Sequence, residues 1–193
     1  MKVQSIAAAA LAAVILAGCG GKASFNVAGT VNGLANPGLV LQNGNDTISV
    51  PAGATSFSFP NAISYGTEYL VSVKSQPNHM ECTVVPGTER GSAGHTAVIN
   101  VQVSCVQKTY SVGGSVVNLL GDQLVIVNGS TAGSTTILKG ATSFTYGSKI
   151  PVGQSYGLTV LTQPKDPAQV CTIANGTDVM GDADRANVVI TCQ

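Results

Sequence analysis

The chain is written twice. Phe25-Asn-Val-Ala-Gly29-Thr-Val31 returns as Tyr110-Ser-Val-Gly-Gly114-Ser-Val116, and Leu39-Val-Leu-Gln-Asn43-Gly44 returns as Leu124-Val-Ile-Val-Asn128-Gly129. Gly53-Ala-Thr-Ser-Phe57 recurs letter for letter as Gly140-Ala-Thr-Ser-Phe144. Gly66-Thr-Glu-Tyr69-Leu-Val71-Ser-Val73 matches Gly153-Gln-Ser-Tyr156-Gly-Leu158-Thr-Val160, Gln76-Pro77 matches Gln163-Pro164, and Cys82-Thr-Val matches Cys171-Thr-Ile. Both copies close on an apolar alternation that ends in cysteine, at Cys105 and at Cys192. An ordered series of matches at one spacing means two homologous modules in tandem. Whatever the chain folds into, one half must fold into it as well.

Each half reads as strands. Phe25, Val27, Gly29 and Val31 alternate with polar or small residues, as do Tyr69, Val71 and Val73, the period of a half-buried strand. Asn43-Gly44 and Asn128-Gly129 each follow a β-rich run and signal tight hairpins. The prolines of the first copy, Pro51, Pro60, Pro77 and Pro86, fall outside the alternating runs. The second copy carries two extra residues before Phe144, which places an insertion on the loop after Asn128-Gly129. No stretch after residue 24 has a helical period. The expected fold class is all-β, two tandem immunoglobulin-like β-sandwich modules of about seven short strands each. Twenty-three glycines in the chain fit many short strands and turns.

The cysteines fit the duplication. Four of the five, Cys82, Cys105, Cys171 and Cys192, fall two to a repeat. Four cysteines allow three connectivities, and the repeat favours Cys82 with Cys105 and Cys171 with Cys192. Cys82 shares a strand face with Val84, and Cys105 with Val103 and Val101; each pair is expected to point into its own core and join the last two strands. There is no Cys-x-x-Cys, and no histidine stands at ligand spacing from either pair.

The fifth cysteine has a different setting. Met1 and Lys2 precede an apolar run from Ile6 to Ala17, too short to span a bilayer comfortably and shaped like an export signal. The run ends in Leu16-Ala17-Gly18-Cys19, which resembles the lipobox of bacterial lipoproteins. That resemblance implies cleavage before Cys19, a diacylglyceryl thioether on its sulfur and often an acyl group on its new amine. Two or more acyl chains anchor stably, at about 0.8 kcal/mol for each buried methylene. Gly20 and Gly21 follow, without the aspartate that favours inner-membrane retention in enteric lipoproteins, so the resemblance leans to the outer membrane. The expected organisation is a signal peptide over residues 1–18, a lipidated tether over 19–24, a first sandwich over 25–105, a linker over 106–109 and a second sandwich over 110–193. Residues 20–24 reach at most about 18 Å extended, which places module one near the bilayer with module two projecting outward.

The modules resemble the immunoglobulin-like and transthyretin-like units of bacterial surface proteins. They resemble more closely a cysteine-ended repeat of Gram-negative surface lipoproteins, on the strength of Gly66 to Val73, Gln76-Pro77, Cys82-Thr83-Val84 and Val101 to Cys105. That resemblance implies an architecture and brings no catalytic residues, because such sandwiches host unrelated functions.

Residues able to carry chemistry are few. Nine basic residues balance nine acidic ones, which excludes the basic footprint of a nucleic-acid-binding protein. His79 and His95 are the two histidines, both in module one; no Gly-x-Ser-x-Gly elbow accompanies them, and they read as solvated loop residues. His79-Met80-Glu81 offers soft copper ligands, but two adjacent ligands do not make a site, and Met80 fits the core beside Cys82. Asp178, Asp182 and Asp184 are the metal candidates, with Asn175 and Gly181 nearby; their spacing matches no EF-hand loop, and they read as a solvated turn. With no tryptophan, and with Tyr69, Tyr156, Phe57, Phe144, Phe59 and Tyr65 all read as core, no aromatic platform for sugars is expected. No cofactor is implied. The expected function is a non-enzymatic envelope lipoprotein acting as an interaction or spacer unit, with the membrane and an envelope protein as partners. The alternative is a ligand-binding or inhibitor lipoprotein using loops of module two, although the Ser-Gly-rich motif of lysozyme-inhibiting lipoproteins is missing.

Overall fold

A computed structural model of the chain describes residues 23–96, 98–129 and 133–193. The signal segment, Cys19 and most of the tether lie outside the described residues. Module one contains strands β1 (Ser24–Phe25), β2 (Val27–Asn32), β3 (Leu39–Asn43), β4 (Asp46–Val50), β5 (Ser56–Ser58), β6 (Ile63–Ser64), β7 (Glu68–Ser75), β8 (Met80–Val84), β9 (Arg90–Ser92) and β10 (Ile99–Gln107). One four-stranded sheet has the order β5-β2-β10-β8, the other β4-β3-β7-β9, and β1 pairs with β6 in a short ribbon at the end where the chain enters.

Module two repeats this arrangement strand for strand. Its elements are β11 (Thr109–Tyr110), β12 (Val112–Val117), β13 (Leu124–Asn128), β14 (Ser134–Ile137), β15 (Ser143–Thr145), β16 (Ile150–Pro151), β17 (Ser155–Thr162), β18 (Cys171–Ala174), β19 (Thr177–Val179) and β20 (Arg185–Cys192). The sheets run β15-β12-β20-β18 and β14-β13-β17-β19, with β11 on β16. The fold is all-β, and each half is an immunoglobulin-like sandwich. Among the described residues each module has ten strands, more than the seven or so expected, because two-residue strands such as β1 and β6 carry too little alternation to be read in sequence.

Alternation builds the cores. Val27, Val31, Val101 and Val103 from one sheet face Leu39, Leu41, Val50 and Val71 from the other. Module two matches them with Val112, Val116, Val188 and Ile190 against Leu124, Ile126, Ile137 and Leu158. Burying each such side chain contributes about 1.5–3 kcal/mol, and the two cores share no residue.

The second and last strands of each module are parallel neighbours. β10 pairs with β2 from Ile99↔Val27 to Ser104↔Asn32, and β20 pairs with β12 from Val112↔Arg185 to Val117↔Thr191. The duplicated glycine lies in this ladder. A Cβ on Gly29 would run into the Val101 carbonyl oxygen, and one on Gly114 into that of Val188. The sequence signal Val-x-Gly-x-Val is therefore a packing requirement of the parallel pair.

Cys82 bonds to Cys105 and Cys171 to Cys192, each pair directly opposed across an antiparallel ladder. All four cysteines are buried in the core of their module. The bridged strands are neighbours in one sheet but not consecutive in the chain, because β9 and β19 intervene and cross to the other sheet. Asn43-Gly44 opens a two-residue hairpin in which Asn43 pairs with Asp46 and Gly44 takes a φ of 58°. The insertion after Asn128-Gly129 falls on residues 130–132, outside the described residues.

Candidate functional site

The modules meet at a joint much shorter than the linker expected over 106–109. β10 continues through Gln107, which pairs with Met80, and β11 begins at Thr109, so Lys108 alone stands between the two folds. Its backbone is held from both sides. The Lys108 N–H donates to the His79 carbonyl in module one (2.9 Å), and the Lys108 carbonyl accepts from the Val152 N–H in module two (3.0 Å). Gln107 adds a contact across the joint, its Nε2 donating to the Val152 carbonyl at 3.2 Å. Asn36 steadies this corner from the other side, with Nδ2 donating to the Asn78 carbonyl at 2.9 Å and to Gln107 Oε1 at 3.5 Å.

A side-chain contact between His79 and Asp182 completes the joint. His79 sits in the loop between β7 and β8 with a φ of 58°. Its Nδ1 lies 2.8 Å from Asp182 Oδ1, with side chains 48% and 55% exposed. At that exposure the pair contributes at most about 1 kcal/mol, and the backbone clamp on Lys108 holds the joint. Beside it Glu81, Val106, Tyr110 and Lys149 line an open cleft of about 400 Å³.

The three candidate aspartates go to three different partners. Asp182 faces His79, Asp184 Oδ1 accepts from the Ser111 N–H at 2.7 Å, and Asp178 lies 4.0 Å from the Arg185 guanidinium. Their oxygens do not converge, and no three His, Cys, Asp or Glu side chains come together among the described residues. Met80 is buried in core one. His95 is exposed at the far end of module one from His79, next to the Ala93 carbonyl that accepts from the Gly66 N–H. The two histidines do not share a site.

Other titratable groups are held for structural reasons. The Glu89 carboxyl is pulled below the usual carboxylate range, first by its own backbone N–H, then by the Arg90 guanidinium and the Gly87 N–H. The Tyr156 hydroxyl is pushed above the ordinary tyrosine range by burial, with the Asp178 carboxylate adding to the shift. That hydroxyl has no hydrogen-bond partner.

Two roles were not legible as motifs. Gln76 and Gln163 each act as a strand substitute: Gln76 Oε1 accepts from the Cys82 N–H (2.7 Å) while its Nε2 donates to the Cys82 carbonyl (3.0 Å). Gln163 does the same to Cys171, at 2.7 and 3.1 Å. The repetition of Gln-Pro signalled their importance without giving its cause. Tyr65, read as core, is 68% exposed, its ring lying against Gly94 and 6.5 Å from that of Phe25, whereas Phe59 is buried.

No family model and no curated protein matches the chain. Among solved structures, it is similar to the major pilin protein (T-13) from Streptococcus pyogenes serotype GAS131465, at 13% identity and a TM-score of 0.30, covering 89% of this chain and 97% of that one. It is also similar to the major pilin protein (T3.2) from Streptococcus pyogenes serotype GAS13637, at 14% identity and a TM-score of 0.31, with the same coverage of 89% and 97%. At those scores the likeness does not bear on function.

Proposed function

We propose that this chain is a lipid-anchored protein of the bacterial envelope, seated in the outer membrane, whose paired sandwiches form a stiff, non-catalytic spacer and interaction unit. The observation that carries the reading is the one-residue joint, with Lys108 hydrogen-bonded to both modules and no free linker between them. Loops that bind or catalyse usually gather polar groups around a concave site; among the described residues, polar side chains such as Gln107, Gln76 and Gln163 are spent on the joint and on strand backbone. Acylation at Cys19 would supply the anchor, and an envelope protein would be the partner.

Two measurements test it. Intact-mass spectrometry of the membrane-extracted protein should show a chain beginning at Cys19 with acyl chains attached and two disulfides. An unmodified thiol at Cys19 removes the anchor. Small-angle scattering should give one narrow inter-module spacing, and a broad spread of separations removes the stiff unit. Turnover of any substrate that is lost on His79→Ala or His95→Ala would replace the reading with an enzymatic one.

A further inference from the structure

The joint inside the chain has a counterpart at its two free ends. Because the modules share one topology, each has a base, where its first strand enters, and a tip, where its last strand leaves. The tip of module one contacts the base of module two. The base of module one and the tip of module two contact nothing among the described residues.

The bases correspond position by position. The Tyr65 N–H donates to the Ala23 carbonyl (3.1 Å) as the Val152 N–H donates to that of Lys108 (3.0 Å). The Gly66 N–H donates to the Ala93 carbonyl as the Gly153 N–H donates to that of Met180, both at 2.8 Å. Two residues beyond Ala93 and Met180 stand His95 and Asp182, so His95 occupies the place of the joint's acid. The tips correspond as well. The loop that carries His79 at φ 58° is matched by the loop between β17 and β18, whose own left-handed residue is Asp166 at φ 55°. The internal joint joins a tip histidine to a base aspartate; the free ends offer a tip aspartate and a base histidine. The pair is present with its members exchanged.

The apolar surfaces agree. The Gly140 N–H donates to the Leu119 carbonyl as the Gly53 N–H donates to that of Leu34. By that register Leu120 stands where module one has Ala35, and Leu138 where it has Pro51. Leu120 is 53% exposed and Leu138 76%, at the tip of module two, while the free base of module one exposes Tyr65. We infer that the tip of module two docks on the base of module one of a second copy, with Asp166 facing His95 and Leu120 and Leu138 against Tyr65. This contact is head-to-tail, so it propagates into a filament instead of closing on itself as a dimer. It lacks the effective concentration that the chain gives the internal joint, so it is weak in dilute solution and favoured where copies are crowded. With the base of module one taken by a neighbour, rods lie along a surface and do not stand on it.

The test uses the purified full chain carrying Cys19→Ser, which removes the fifth cysteine and makes the outcome independent of acylation. Mild oxidation of a His95→Cys/Asp166→Cys variant should give a ladder of dimers, trimers and longer species on non-reducing gels. Mixing the two single variants should give dimers alone. A His79→Cys/Asp182→Cys variant serves as control, closing within one chain without a ladder. In sedimentation, concentration-dependent association should weaken about tenfold in His95→Asp and return in His95→Asp/Asp166→His. Monomer alone while the control closes overturns the inference. So do dimers of Asp166→Cys by itself that match the mixture, since they mean tips meeting tips, and so does association indifferent to both charge exchanges.

Discussion

Gly29 and Gly114 stand in the tightest part of each module, where the parallel strands bring a backbone carbonyl against the missing Cβ. Gly29→Ala is expected to destabilise module one by about 2 kcal/mol or more, through overpacking against backbone that cannot rotate away; thermal denaturation followed by circular dichroism measures it. Tyr156 makes the opposite case. Its hydroxyl is buried without a partner, so Tyr156→Phe should raise stability at neutral pH by about 1 kcal/mol. The pH dependence has a definite sign. The folded state holds the Tyr156 proton above the ordinary tyrosine pKa, so the unfolded chain releases it first as pH rises past about 10. The natural chain therefore loses stability through that window. The Phe variant lacks this component, and the gap between their melting temperatures should widen from pH 9 to pH 11. The glycines were visible in sequence as a repeated letter. Their reason was not, because a carbonyl from a strand some 70 residues away in the chain leaves no local trace.

At the scale of elements, each disulfide ties an edge strand to a central one. β8 and β18 are edges of their sheets, and the bridges fasten them to β10 and β20. The bridged cysteines are 23 and 21 residues apart, and loops of that size contribute about 3 kcal/mol through the entropy of the unfolded chain. Cys82→Ala/Cys105→Ala should lower the unfolding free energy of module one by about that amount and leave module two unchanged, which two separated transitions in urea would show. The cysteine pairing was legible because duplication removed the ambiguity, and the central strands were legible because both cores impose strict alternation. The ribbon strands β1 and β6 were not, since two residues cannot express a period. The exposure of Tyr65 was missed for a related reason: an aromatic beside a core strand reads as buried until the base of the module is seen to end there.

For the molecule as a whole, the joint was the least legible feature. Val106 and Gln107 read as linker because the repeat ends at Cys105, yet β10 runs on to pair Gln107 with Met80. Nor does any sequence pattern bring His79 and Asp182 together, 103 residues apart. Inserting a Gly-Ser-Gly segment after Lys108 should break the clamp and broaden the distribution of module separations in small-angle scattering. The parallel neighbours β2 and β10 have one more result. A pull applied between the two ends of module one enters at the start of β2 and leaves at the end of β10, along the strands and across every rung between them. Such loading shears the whole ladder at once, where an antiparallel hairpin would peel rung by rung. Stretched by an optical trap, each half should yield abruptly and late, and then lengthen by less than its residue count allows, because the covalent staple keeps the segment between its cysteines coiled out of reach.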